Sequence, residues 1–499
     1  MSSARRDRDF QRSKDEDVMM DLKQKEIVES LLSCFTPDPA TPYTLSELIR
    51  MAEQRGAALS HLVVAQAMAQ EKLDYETLLD RVVGAFRHNL GACELGLTEG
   101  KSFLLGKVAS DLARENREGP ALIEDGLINR AMTYTLATEV GNHEVGLSPC
   151  AGTGDSCPYT GLIRALREHP YDGERMAQVT ALILKIGSYF RAGKETTGCN
   201  MEGLGAGAAV TAAVLTELRG GSPSQVGKAI VLALSPTIAV PCTPRVMVPG
   251  LCAMHISGAI LLGNQAANLV LKTSLPMPVD VDVMLAMAAR IHKEAAPAIT
   301  KINIPYMRPF FEKNEEVEKL IPADVLEKEA REREEVLAEA REEVRRMAVQ
   351  SGPLTRTLGD VVFGGSSMAV GSPTNMGRVC HEMVKGEITR IRIELTVDLF
   401  SRRAINVPGI LMGALYGAST EDIESYRKVV GDVLRRRLPV ELIEVSEPEV
   451  QRIWLESKEG TAMVDSRNRG GGRLTIVDAV PSREEALMAA KRLGIVVAP

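Results

Sequence analysis

Residues 312–349 read EKNEEVEKLIPADVLEKEAREREEVLAEAREEVRRMAV, and this stretch divides the chain in two. Within it Val325, Ala330, Val336, Leu337, Ala340, Val344 and Met347 recur at helical spacing among acidic and basic residues, which predicts one long amphipathic helix. Such a helix serves either as a solvated connector between domains or as a coiled-coil dimer contact, and the heptad run is too short to favour the second. What precedes it reads as helical throughout, whereas strands enter only after it.

On the N-terminal side, LSELIRMAEQ and LSHLVVAQAMAQ carry apolar residues at spacings of three and four, and helices are expected from Pro42 to about Asn116. From about 120 to 300 the sequence is rich in alanine and glycine with long uncharged segments, so its helices should be buried on most sides. Ser222-Pro223-Ser224-Gln225 marks one helix start, with an N-cap serine, proline at the first position and a capping-box glutamine. On the C-terminal side, Ile391, Ile393, Leu395, Val397 and Leu399 alternate with Arg392, Glu394, Thr396 and Asp398, the period of a half-buried strand. Helices follow near 405–417 and 420–437, short strands around 440–445, 451–456, 461–466 and 473–478, and a last helix opening on Ser482 and Glu485. The expected architecture is multidomain: a disordered charged leader over 1–25, an all-α domain over 26–305, a charged helical linker over 306–352, and a smaller α+β domain over 353–499.

Composition agrees with a large soluble protein. A chain of 499 residues corresponds to roughly two to four domains, and 45% hydrophobic with 25% charged residues excludes a disordered chain. A net charge of −7 gives no reason to expect nucleic acid or an anionic membrane as partner. The first residues offer no apolar stretch for export. The uncharged run from Val246 to Leu271 is long enough to span a bilayer, but Pro249, His255, Asn264 and Gln265 interrupt it. A buried helical hairpin is expected there, in a cytoplasmic protein.

Chemistry is suggested by cysteine placement. Of eight cysteines, Cys150, Cys157, Cys199, Cys242 and Cys252 fall in one stretch, too few for a disulfide scaffold. Cys199 sits in KETTGCNMEGLGAG, and Cys242 and Cys252 bracket a loop rich in proline and glycine. Three thiolates delivered by loops inside a small-residue helical core can hold a soft metal centre, and three buried cysteines can equally pack as small hydrophobes. Spacing leaves both open. Cys150 and Cys157 stand as further thiols or as packing residues.

The motifs around these cysteines resemble the α chain of the iron–sulfur-dependent L-serine dehydratases (L-serine ammonia-lyases). Ser148-Pro149-Cys150-Ala151-Gly152-Thr153-Gly154-Asp155 resembles that family's A-P-T-x-G-x-x-G run, and Gly198-Cys199-Asn200-Met201-Glu202-Gly203-Leu204-Gly205 its G-C-Q-x-E-x-G element. Cys242-Thr243-Pro244 and Gly250-Leu251-Cys252 stand where the family has its C-D-P…P-C loop. The C-terminal part, with RIRIELTVDL, INVPGILMGALYGAS and Arg469 to Ile476, resembles the family's β chain, so that an α-like part precedes a β-like part in one chain.

The resemblance implies a [4Fe–4S] cluster held by Cys199, Cys242 and Cys252, with one iron left open to act on the substrate hydroxyl while a base removes the α proton. It implies a lyase of amino-acid catabolism converting L-serine, or a similarly small amino acid, to pyruvate and ammonia. One departure stands out. The family's β chain carries G-P-S-S-S-H-T, and the corresponding stretch here, Gly364 to Pro373, keeps serines but has no histidine. Ser366, Ser367, Ser372, Thr374 and Asn375 are then the expected substrate-binding residues, and His143 and His255 the candidates for the catalytic base, each of which can also be a hydrogen-bonded core residue. Cysteine desulfidation, a β-elimination with a thiol leaving group, and a non-catalytic amino-acid-binding or iron–sulfur-sensing role remain open. A homo-oligomer, a dimer in the simplest case, is expected.

Overall fold

After a short helical stretch over 24–34, Thr44 starts the next helix with a reciprocal cap. Its side chain accepts from the Glu47 N–H, and Glu47 Oε2 accepts from the Thr44 N–H at 2.8 Å. The cap starts α1 (Leu45–Arg55), which Gly56 ends in the left-handed conformation at φ 62°. The structure is a computed structural model that describes residues 24–35, 43–118, 122–147, 157–192, 204–238, 251–311, 313–351, 371–470 and 472–498. The leader expected over 1–25 lies almost wholly outside the described residues.

After α1 come α2 (Leu59–Glu71), α3 (Tyr75–Gly84), α4 (Arg87–Thr98), α5 (Val108–Glu118), α6 (Gly126–Val145), α7 (Cys157–Leu166) and α8 (Gly173–Ala192). They are followed by α9 (Gly207–Leu218), α10 (Pro223–Leu234), α11 (Leu251–Lys272) and α12 (Val281–Met307). Ser222 and Gln225 form the capping box at the start of α10, as their spacing predicts. In α9 every residue from Gly207 to Glu217 is buried, which is how an alanine- and glycine-rich helix sits at the centre of a bundle. Among the described residues no helix is long and apolar enough to cross a membrane.

Two local expectations are corrected. The hairpin expected over 246–271 is one unbroken helix, α11, and its 246–250 portion lies outside the described residues. Asn264 does not break it, because its side chain accepts from Arg219 Nη2 at 2.8 Å. The single helix expected over 312–349 is interrupted: α13 (Glu315–Glu318) stops, and α14 (Ala323–Ser351) begins after Pro322. Proline has no N–H to continue a helix but suits the start of one, and the Val325 and Leu326 N–H groups both bond back to Pro322 O. The chain divides into two compact units, Met1–Glu342 and Glu343–Pro499.

The second unit holds α15 (Gly371–Met383), β1 (Ile388–Thr396), α16 (Val397–Ser401), α17 (Arg403–Tyr416) and α18 (Ile423–Arg436), then β2 (Val440–Val445), β3 (Gln451–Ser457), β4 (Thr461–Asn468), β5 (Leu474–Val480) and α19 (Arg483–Arg492). The sheet order is β2-β1-β3-β4-β5. Only the β1–β2 pair is parallel, and α17 and α18 supply the crossover such a pair needs. Ile391, Ile393, Leu395, Ile453, Leu455 and Val464 form the buried face, against which the helices pack. The strand expected to reach Leu399 ends at Thr396, where Asp398 pairs with Arg402 and Asn406 Nδ2 donates to Leu399 O at 2.8 Å, turning the chain helical. On the opposite face Glu394 is also buried, closed in by Arg392 and Arg452, each at 2.7 Å.

Candidate active site

Helix α6 is gripped by two neighbours that come closer than side chains allow. A Cβ on Gly96 would stand 1.9 Å from Ala137 O, and one on Gly141 2.0 Å from Ala92 O, so α4 and α6 lie backbone to backbone. A Cβ on Gly161 would stand 2.2 Å from Thr135 Oγ1 and 2.4 Å from the Thr135 nitrogen, which brings α7 equally close. These contacts set Cys157, the first residue of α7, against the side chain of Glu139 on α6.

Glu139 is the hub of the site. It is 6% exposed, yet four donors reach it. Cys157 Sγ donates to Oε2 at 2.8 Å and Cys252 Sγ to Oε1 at 3.0 Å. Asn142 Nδ2 donates to Oε2 at 3.3 Å, and His143 Nε2 lies 3.3 Å from Oε1. Asn142 and His143 follow Glu139 by three and four positions, so one helical face presents all three. Burial pushes the Glu139 carboxyl up, but hydrogen bonds from His143, Cys157 and Cys252 outweigh it and hold its pKa at about 2. The carboxylate is therefore ionised while buried beside the apolar cluster of Cys93, Ala109, Leu136, Ala137, Val140 and Ile256. His143 is fixed from its other side, where Nδ1 lies 2.6 Å from Ser102 Oγ.

Of the three expected cluster ligands, Cys252 is described, and Cys199 and Cys242 lie outside the described residues. Cys252 fits a thiolate ligand of a soft metal. It is 4% exposed in the first turn of α11, the end of a helix that favours negative charge. A thiolate donates nothing, so ligation of Cys252 would leave Glu139 with three donors. Among the described residues no group of three or more His, Cys, Asp or Glu side chains is placed to hold a metal ion by itself.

His255, one turn after Cys252, is 4% exposed, and its Nδ1 has no partner among the described residues. Burial lowers its pKa below the ordinary histidine value, leaving the ring neutral near pH 7. In the second unit, Ser372, Thr374 and Asn375 occupy the start of α15 and are buried, while Ser366 and Ser367 lie outside the described residues. Gln451 Nε2 donates to Ser372 Oγ at 2.9 Å and Ser466 Oγ at 3.0 Å, and Gln451 Oε1 has no partner among the described residues. Asn375 Nδ2 donates to Gly472 O at 2.9 Å and Asn375 Oδ1 accepts from Arg378.

Glu139, Ser102 and Gln451 were not anticipated from sequence. The available signal for Glu139 was Glu139, Asn142 and His143 on one face of TLATEVGNHEVG, a polar stripe in a helix otherwise rich in small and apolar residues. Ser102 lies in GLTEGKSFLLG, a stretch that fits the start of the serine dehydratase α chain, but nothing in it points to His143.

A family model described as serine dehydratase alpha chain matches residues 45–302, more than half of the chain and including the whole Glu139 pocket. No curated protein matches the chain.

Proposed function

Because the chain belongs to the serine dehydratase α-chain family, we propose that it is a lyase that eliminates water and ammonia from L-serine or a similarly small amino acid, with a [4Fe–4S] cluster held by Cys199, Cys242 and Cys252. The observation that carries this reading is the convergence of Cys252 and Cys157 on the buried carboxylate of Glu139 inside the matched segment. When bound, such a cluster supplies an open iron as a Lewis acid for the substrate hydroxyl.

The residues of this chain divide the remaining work. His255 is the proton acceptor on this reading, since burial favours its neutral ring and its Nδ1 has no partner among the described residues. His143 has both ring nitrogens engaged, by Ser102 and Glu139, and orients the carboxylate. Glu139 is buried beside an apolar cluster, so each polar contact to it counts for more than in solution. Ser366, Ser367, Ser372, Thr374 and Asn375, at and before the start of α15, supply hydroxyl, amide and backbone donors for an amino-acid carboxylate. Eight cysteines in 499 residues, too few for a disulfide scaffold, suit a reducing compartment, the cytoplasm on this reading.

The test is turnover of L-serine, L-cysteine and L-threonine by anaerobically purified protein, scored as 2-oxo acid and ammonia. Pyruvate from serine is expected, and His255→Ala should slow it about 10²–10⁴-fold with the visible spectrum of the cluster retained. Turnover of cysteine alone would make the enzyme a desulfidase. A cluster without turnover of any of the three would point to a sensing role.

A further inference from the structure

We propose that Ser102 is a positioning residue of this site: it locks His143 in the Nε2–H tautomer, which makes the ring a hydrogen-bond donor to Glu139 instead of a base. The inference deepens the reading of the Glu139 pocket as the active site and rests on it for its catalytic meaning, while the tautomer itself follows from hydrogen-bond accounting alone.

Among the described residues Ser102 Oγ has three hydrogen-bonding neighbours. It accepts from the Leu104 N–H at 3.1 Å and from the Leu105 N–H at 2.9 Å, and backbone N–H groups can only donate. Both lone pairs of the hydroxyl oxygen are thereby used. The remaining contact, 2.6 Å to His143 Nδ1, must be made through the hydroxyl hydrogen, so Nδ1 accepts. A neutral imidazole that accepts at Nδ1 carries its proton on Nε2, and Nε2 is the atom facing Glu139 Oε1 at 3.3 Å. The direction of every bond from the Leu104 and Leu105 amides to the carboxylate is then fixed. Beyond it, the two Glu139 oxygens receive Cys157 and Cys252.

The surroundings hold Ser102 to this task. It lies in a turn closed by two reciprocal backbone bonds with Gly106, each of 2.8 Å, and Gly106 adopts φ 58°, a conformation glycine takes without strain. The neighbouring Lys101 N–H donates to Glu144 on α6, which ties the turn to the helix carrying His143. With both lone pairs taken by the Leu104 and Leu105 amides, Ser102 Oγ has none left to attack a substrate, so the serine–histidine–glutamate sequence here is no nucleophilic triad. It orients a carboxylate instead.

The tautomer is read directly from the side-chain ¹⁵N resonances of the full-length chain labelled at histidine, at a pH where the rings are neutral and with no amino acid supplied. The His143 signals are assigned by their loss in His143→Gln. The expected result is a protonated Nε2 and an unprotonated Nδ1 in the wild type, a shift toward the Nδ1–H form in Ser102→Ala, and return of the wild-type signature in Ser102→Thr, which restores a hydroxyl. An Nδ1–H ring in the wild type, or an unchanged signature in a folded Ser102→Ala, overturns the proposal. Should Ser102→Ala fail to fold, the wild-type tautomer decides the matter. Because no turnover is measured, a chain that proves inactive on serine leaves this result standing or falling by itself.

Discussion

Replacing Glu139 by glutamine keeps the shape of the side chain and removes its charge, and the cost follows from the four donors around it. Oε1 faces Cys252 and His143, and Oε2 faces Cys157 and Asn142. An amide has one acceptor end, so its NH₂ meets donors head on in either orientation: Cys157 and Asn142 on one side, or His143 on the other, joined by Cys252 wherever its thiol is not ligated. Leaving buried donors without an acceptor costs about 1–3 kcal/mol each, and breaking a buried charged network typically costs about 3–5 kcal/mol. Glu139→Gln should therefore lose about 3–5 kcal/mol of stability. The two compact units permit a clean assay. Trp454, the single tryptophan, lies on β3 in the second unit, so its fluorescence follows that unit. Far-ultraviolet circular dichroism is dominated by the long helices of the first. In urea, the helical transition should move to lower denaturant and the Trp454 transition should stay in place. A helical transition within about 1 kcal/mol of wild type would refute the assignment of Glu139 as a fully engaged buried carboxylate.

Two further outcomes test the packing and the buried histidines. Gly161→Ala should cost about 1–3 kcal/mol, because the new methyl meets the Thr135 backbone, which cannot step aside; Gly431→Ala on α18, with nothing within 4 Å, should instead gain up to about 1 kcal/mol. Urea midpoints check both, and a Gly161→Ala chain as stable as wild type would mean that α6 and α7 do not touch as described. Burial first, and the Arg175 guanidinium second, lower the His61 pKa in the folded chain. The unfolded state then takes up a proton more readily, so this stability is complete above about pH 6.5 and is lost as the pH falls below it. His61→Leu should flatten the fall in stability between about pH 7 and 5, and a slope identical to wild type would remove His61 from the account.

Local rules carried the sequence reading as far as they apply. Ser222 and Gln225 announced a helix start because a capping box is written within four residues, and the alternation from Ile391 announced β1 because its two faces differ. Pro322 was equally visible, yet the apolar spacing on either side of it masked the interruption between α13 and α14. The site was legible only at its cysteines. Cys252 joins Glu139 across a sequence separation of 113 residues and Ser102 joins His143 across 41, distances over which no periodicity carries information. Glu139 reads in sequence as one more acidic residue on a helix, and only the close packing allowed by Gly96, Gly141 and Gly161 makes it a buried hub.

The central claim is that this chain holds a cluster through Cys252, and the iron and acid-labile sulfide content of anaerobically purified protein tests it most directly. About four of each per chain, with the broad visible absorption of a [4Fe–4S] centre, is expected. Cys252→Ala should lose that content, while Cys93→Ala, altering a buried thiol on α4 that bonds to Tyr134 O, should keep it. A wild-type chain free of iron that still deaminates serine, or full iron in Cys252→Ala, would contradict the account.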